Sequence, residues 1–177
     1  MTKRAQQFER RANDAYDTPF QAAKPLIAHL PSSCYFVEPC AGKGDLIRHL
    51  EHFSHKCLHA SDIAPRAAGI KRQSIFDVRL KKRYRNLFFI TNPPWERAIL
   101  HPIIRHLCPQ APTWLLFEAD WMHTKQAAEF LPYCQKIVSI GRVKWIEGSA
   151  SVGKDNMCWY RFDAQPTSRI DFIGPQT

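Results

Sequence analysis

From Cys34 onward the sequence repeats one local pattern: a short apolar run, a break of small, acidic or proline residues, then apolar residues at helical spacing. Residues 34–38 form the first run and 40–45 the first small-residue turn. Leu46, Ile47 and Leu50 mark one face of the helix that follows. The pattern predicts further strands over 56–62, 74–77, 87–91, 114–118 and 136–140. It predicts helices through Ile99, Ile103, Ile104 and Leu107 and over 124–130. Parallel neighbours need long crossovers, so strands alternating with helices imply a mostly parallel sheet with helices on both faces. The fold class is α/β. Upstream, Phe20, Ala23, Leu26, Ile27 and Leu30 give a helix ending before Pro31, with Pro25 forcing a start or a kink. The rhythm changes late in the chain, where 142–146 and 157–162 read as strands joined by a Gly/Ser/Asn loop without a helix. That return is antiparallel.

The 177 residues suit one domain over 16–177, preceded by a charged, Gln-rich arm or short helix over 1–15. Lys and Arg number 25 against 16 Asp and Glu, a formal charge of +9 that fits a polyanionic partner or an acidic membrane surface without naming either. The six cysteines form no C-x-x-C pair, so reduced thiols in a cytoplasmic protein are the simplest reading. His52, His55, Cys57 and His59 lack a zinc spacing, and no metal is expected. No apolar stretch has the length of a signal peptide or a membrane span, so no membrane partner is expected. The basic run Arg79, Lys81, Lys82, Arg83 and Arg85 reads as a solvated connection or as a phosphate contact.

Three segments carry chemistry. Glu38-Pro-Cys40-Ala-Gly42-Lys-Gly44-Asp follows the first strand and opens a helix, where an open parallel sheet places its ligand crevice. Gly42 and Gly44 let a ligand approach the backbone, and Glu38 can engage a cationic group; a ligand-free tight turn is the alternative. Asp62 ends the second strand, where a carboxylate can accept from ribose hydroxyls. Asp77, after Ser-Ile-Phe, could accept from an adenine amino group, and both aspartates could equally be turn residues. The sharpest signal is Asn92-Pro93-Pro94-Trp95, directly after the apolar run 87–91. Consecutive prolines fix a rigid turn that lacks N–H groups and presents carbonyl acceptors. If the Asn92 side-chain oxygen and the Pro93 carbonyl accept both hydrogens of an aromatic amine, its nitrogen can turn its lone pair to an electrophile, while Trp95 offers a stacking face.

Taken together, Glu38 to Asp45, Asp62, Asp77 and Asn92 to Trp95 resemble the amino-methyltransferases of the class I S-adenosylmethionine-dependent fold, particularly small phage-type DNA adenine-N6 enzymes. The resemblance covers roughly residues 14–120 and includes Tyr16-Asp-Thr18-Pro19, similar to the segment that precedes the glycine loop in that family. It implies a Rossmann-like, mostly parallel seven-stranded sheet with an antiparallel strand near the C-terminus. The cofactor implied is S-adenosyl-L-methionine. Tyr16, Thr18, Pro19, Glu38, Cys40, Gly42 and Gly44 would lie at its methionine end, Asp62 and Ile63 at its ribose and Asp77 at its adenine. Asn92, Pro93, Pro94 and Trp95 would be catalytic. Lys144, Lys154 and Asn156, beside the late loop, are the expected nucleic-acid contacts, and the partner favoured is DNA over RNA. The same motif serves RNA adenine or guanine N2 methylation and protein glutamine methylation, and a non-catalytic binding module is the reading from another class.

Overall fold

The computed structural model describes residues 16–82, 84–146 and 152–175. The expected arm over 1–15 and the middle of the late loop, 147–151, lie outside the described residues. The chain forms α1 (Phe20–Ile27), β1 (Tyr35–Glu38), α2 (Asp45–His52), β2 (Lys56–Asp62), β3 (Lys71–Arg72), β4 (Leu87–Thr91), α3 (Arg97–Leu107), β5 (Thr113–Glu118), β6 (Cys134–Arg142), β7 (Asn156–Phe162) and β8 (Asp171–Ile173). The described strands make one sheet in the order β3-β2-β1-β4-β5-β7-β6-β8. β7 runs antiparallel to β5 and β6, and the other pairings are parallel.

The apolar runs became strands because both faces of the sheet are covered. All of β4 is buried. On one face α1 and α2 pack Ala22, Ala23, Leu26, Leu46 and Leu50 against Phe36, Phe88, Ile90 and Trp114. On the other, α3 buries Leu100, Ile103, Ile104 and Leu107, the i, i+3, i+4, i+7 stripe of an amphipathic helix, against Phe89, Leu115 and Phe117. Each such side chain contributes about 1.5–3 kcal/mol on burial. Among the described residues no helix is long and apolar enough to cross a membrane.

Four expectations are corrected. The sheet has eight strands, not seven, because β8 adds a short parallel edge to β6. Residues 74–77 are no strand but a 3-10 turn over Ile75–Asp77, started by the Ser74 side chain accepting from the Phe76 N–H at 3.3 Å. In place of an α-helix over 124–130 the chain forms a 3-10 helix, Lys125–Glu129, with Ala127 N–H bonded to the Thr124 carbonyl and Phe130 N–H to the Ala127 carbonyl. Burial of Ala127 and Phe130 three residues apart suits a three-fold helix. No separate strand covers 142–146. β6 ends at Arg142 after a register shift between Ser139 and Gly141, where Gly141 has φ 69°, and the Val143 carbonyl accepts from Gly153 instead.

Candidate active site

β1 and β4 are neighbours, yet the chain leaves β1 toward β2 on one side and β4 toward β5 on the other. The crossovers diverge there, so a crevice opens beyond the carboxyl ends of the two strands. The cleft, about 730 Å³, has the size of a small-molecule site and is walled by the turns after β1, β2 and β4, the segment 16–18 and the start of α3.

The turn after β1 is built by glycine. Gly42 has φ 53° and Gly44 φ 81°, a left-handed conformation that costs other residues roughly 1–2 kcal/mol. Gly42 N–H donates to Asp62 Oδ2 at 2.8 Å, and Ala64 N–H donates to Asp62 Oδ1 at 2.7 Å. Asp62 thus ties the first turn to the second and keeps lone pairs for a ligand. Arg66, beyond that second turn, gives its backbone N–H to the Gly42 carbonyl and forks its guanidinium onto Asp17, at 2.6 and 3.2 Å. Lys43 Nζ lies 3.4 Å from the same carboxylate. These ion pairs hold the segment 16–18 against the glycine turn.

Glu38 ends β1 with 2 % of its surface exposed, and its Oε2 has no hydrogen-bond partner. Burial, then the charges of Asp62 and Asp45, push its carboxyl well above the usual range. A cation arriving in the cleft would reverse that balance. Cys40 beside it is likewise pushed up, first by burial and then by Asp62.

Asn92 follows β4 and is gripped from both sides. Its Nδ2 donates to the Tyr16 carbonyl at 3.3 Å, while Trp95 Nε1 donates to Asn92 Oδ1 at 3.2 Å and to the Leu116 carbonyl at 3.1 Å. An indole N–H is only a donor, so it fixes which end of the amide is oxygen. A carbonyl oxygen has two lone pairs, and Trp95 uses one. Asn92 lines the cleft with one acceptor site to spare.

The structure brings Tyr16, Thr18, Glu38, Cys40, Gly42, Asp62, Ile63, Asn92 and Pro94 to the cleft wall. Pro19 instead stands at the N-terminal boundary of α1 and Gly44 at that of α2. Pro93 is buried. Trp95 packs against both core clusters and is no wall of the cleft. Asp77 is exposed and outside the wall, because the 3-10 turn presents Ser74, Ile75 and Phe76 there. Lys144, Lys154 and Asn156 are exposed near the same sheet edge, outside the cleft. Sequence reasoning missed Asp17, Arg66 and Phe76. It also missed Trp145, whose ring centroid lies 5.4 Å from that of Trp95 and 6.1 Å from that of Tyr16. The available signal was an aromatic next to Lys144 at the start of the Gly-rich loop.

Comparison with protein-family models finds no match, and neither does comparison with curated proteins. Solved structures do resemble the chain. A protein from Listeria monocytogenes, described as a proposed class I S-adenosylmethionine-dependent methyltransferase, matches at a TM-score of 0.54 and 11% identity over 91% of this chain and 66% of its own. The type I restriction-modification methyltransferase subunit of Streptococcus thermophilus matches at 0.62 and 10% identity over 90% of this chain, which spans 47% of that subunit. A proposed RNA methyltransferase from Pyrococcus horikoshii matches at 0.57 and 11% identity, covering 87% of both chains. This chain therefore spans about half to two thirds of the first two structures and most of the third. What the likeness establishes is the fold: a Rossmann-like class I methyltransferase fold with one antiparallel strand and an eighth strand at its edge.

Proposed function

We propose that the chain transfers a methyl group from S-adenosylmethionine to an exocyclic amino group of a nucleic-acid base, with adenine N6 in DNA as the leading target. The observation that carries this reading is the fixed Asn92 amide in the cleft wall, its oxygen oriented by Trp95 and its nitrogen by Tyr16.

The residues present fit the cofactor. Glu38, buried and unpartnered at Oε2, suits its ammonium group, and Asp62 suits its ribose hydroxyls. Ile63 and Phe76 line the same cleft at 64% and 39% exposure, large apolar surfaces suited to a purine ring. Bound there, the cofactor supplies an activated methyl group on a good leaving group. The chain's own task is to orient the acceptor: Asn92 Oδ1 takes one amine hydrogen, the nitrogen lone pair turns out of conjugation, and the amine proton departs to solvent after the N–C bond forms. Trp145 and Tyr16 offer rings beside that position. Lys144, Lys154 and Asn156, exposed near the same edge, suit phosphates, so little sequence preference is expected.

An RNA base is the second reading. It is favoured by the similar extent of this chain and the Pyrococcus structure. The test is transfer of labelled methyl from S-adenosylmethionine to unmethylated DNA, RNA and a release-factor protein in parallel. Label on adenine N6 of DNA that falls at least 100-fold in Asn92→Ala is the expected result. Label on RNA or protein alone overturns the substrate, and undiminished transfer by Asn92→Ala overturns the role of the amide.

A further inference from the structure

The amino edge of the sheet, opposite the cleft, carries a second concavity of about 350 Å³, walled by Tyr84, Asn86, Phe88, Gln110, Pro112 and Arg161 among others. Arg161 stands on β7 in register with Trp114 of β5 and Lys136 of β6. Its guanidinium carbon lies 6.0 Å from the Phe88 ring centroid, and its Nε is buried without a hydrogen-bond partner. The ion pair recorded for it is a 3.6 Å approach of Nη2 to Asp163, at the long end for such a contact. A buried guanidinium N–H without an acceptor is costly, and its fork matches phosphate oxygens.

Two further features belong to the same edge, where Tyr84 shares the concavity with this arginine. Tyr84 and Tyr35 lie with ring centroids 5.5 Å apart and are 47% and 39% exposed. Lys81, Lys82 and Arg85, on the approach to β4, are exposed, and among the described residues none of them enters an ion pair. Arg79, four residues before Arg83, differs: its Nη1 is spent on the Phe76 and Val78 carbonyls and His106. Free cations beside open aromatic faces are what single-stranded nucleic acid needs, since phosphates take the charge and unpaired bases stack on the rings. A duplex keeps its bases stacked on each other and has no use for the tyrosines.

We propose that this edge is a second binding site, for single-stranded nucleic acid, with a phosphate on Arg161, flanking phosphates on Lys81, Lys82 and Arg85, and a base against Tyr84. The five residues of β4 set the two edges about 17 Å apart, a distance that a few nucleotides span. A strand held here would be tethered near the cleft without being read by it. This inference does not depend on which base, if any, is methylated.

The experiment is fluorescence anisotropy with a labelled oligothymidylate, titrated over a range of salt. Thymine has no exocyclic amino group, so this probe is no methyl acceptor and failure of the proposed reaction leaves the measurement intact. Tyr84→Ala is expected to weaken binding about ten-fold, within the range for losing one stacking face. Lys81→Ala combined with Lys82→Ala is expected to reduce the slope of log affinity against log salt by about 1.4, two phosphate contacts on a single strand. Both variants change exposed side chains, and an unchanged thermal melt verifies their folding. Wild-type affinity and slope in both variants, or binding to anionic phospholipid vesicles in place of the oligonucleotide, overturns the proposal.

Discussion

Glu38 is held away from the usual behaviour of a carboxyl. Its carboxyl is buried with one oxygen unpartnered, and its proton affinity is raised by burial and by Asp62 and Asp45. A carboxyl whose pKa is higher in the folded than in the unfolded chain contributes stability below the unfolded value and loses it as pH rises through the folded one. Glutamine cannot ionise. The stability of Glu38→Gln relative to wild type is therefore expected to grow from about pH 4 upward, by at most about 1.4 kcal/mol per pH unit. Urea melts of both proteins between pH 4.5 and 8 measure this. Saturating S-adenosylmethionine should flatten the trend by giving the ionised wild-type carboxylate a cation, and the glutamine variant should bind it more weakly. A pH-independent difference between the two proteins would mean that Glu38 is not protonated in the fold. Trp95 shows the complementary case of a side chain whose value lies in a directed bond. Its N–H is shared between Asn92 and Leu116, so the indole, packed against the core, orients the amide from behind, a role that the Asn-Pro-Pro-Trp string alone does not reveal.

At the scale of elements, the segment 16–18 joins the two halves of the cleft. Its Asp17 side chain pairs with Arg66 and Lys43 on the side proposed for the cofactor, and its Tyr16 carbonyl holds the Asn92 amide on the side proposed for the target. Partly exposed ion pairs contribute little stability, about 0–1 kcal/mol. Asp17→Ala is accordingly expected to melt near wild type, yet to raise the cofactor KM several-fold and lower kcat, because both halves lose a fixed neighbour. The charge reversal Asp17→Arg with Arg66→Asp should recover part of the loss that each single reversal causes, and steady-state kinetics of the two single reversals and the double would expose an unlinked pair by purely additive defects. Burial on both faces leaves a long apolar run at 87–91, which matches β4 residue for residue; 56–62 matches β2 equally well, although that strand is mostly half-buried or exposed and is legible from its place in the alternation of strands and helices. β3 and β8, of two and three residues, carry no such pattern and were missed. Residues 74–77 misled because Ser-Ile-Phe is too short for periodicity to separate a strand from a 3-10 turn, and that error moved Asp77 into a site where Ser74 and Phe76 stand. Glu38, Gly42, Asp62 and Asn92 were legible as strand-end residues of a parallel sheet. Arg66, Asp17 and Trp145 were not, since each acts through a partner distant in sequence.

For the molecule as a whole, the thiols report how the two cores open. Cys34 lies in the core beneath α1 and α2, while Cys108, Cys134 and Cys158 lie in the core on the other face, and all four are buried. Burial pushes Cys34 and Cys108 up to about 11 and Cys134 up to about 12, and raises Cys158 as well. At pH 8 the native thiols are almost wholly protonated and shielded, so alkylation must pass through an opened state. One eight-stranded sheet separates and shares these cores, and β5 and β7 contribute side chains to both, so opening one should expose the other. Iodoacetamide labelling read by peptide mass is expected to modify the four at a common rate. S-adenosylmethionine at 100 times its dissociation constant adds about 2.7 kcal/mol to global unfolding and should slow that common rate about 100-fold. Faster labelling of Cys134 and Cys158 than of Cys34, unaffected by the cofactor, would instead make β6 and β7 a unit that opens alone, leaving the cleft intact. An unchanged rate at all four in the presence of cofactor would remove the cofactor from the native cleft altogether, and with it the chemistry proposed for Asn92.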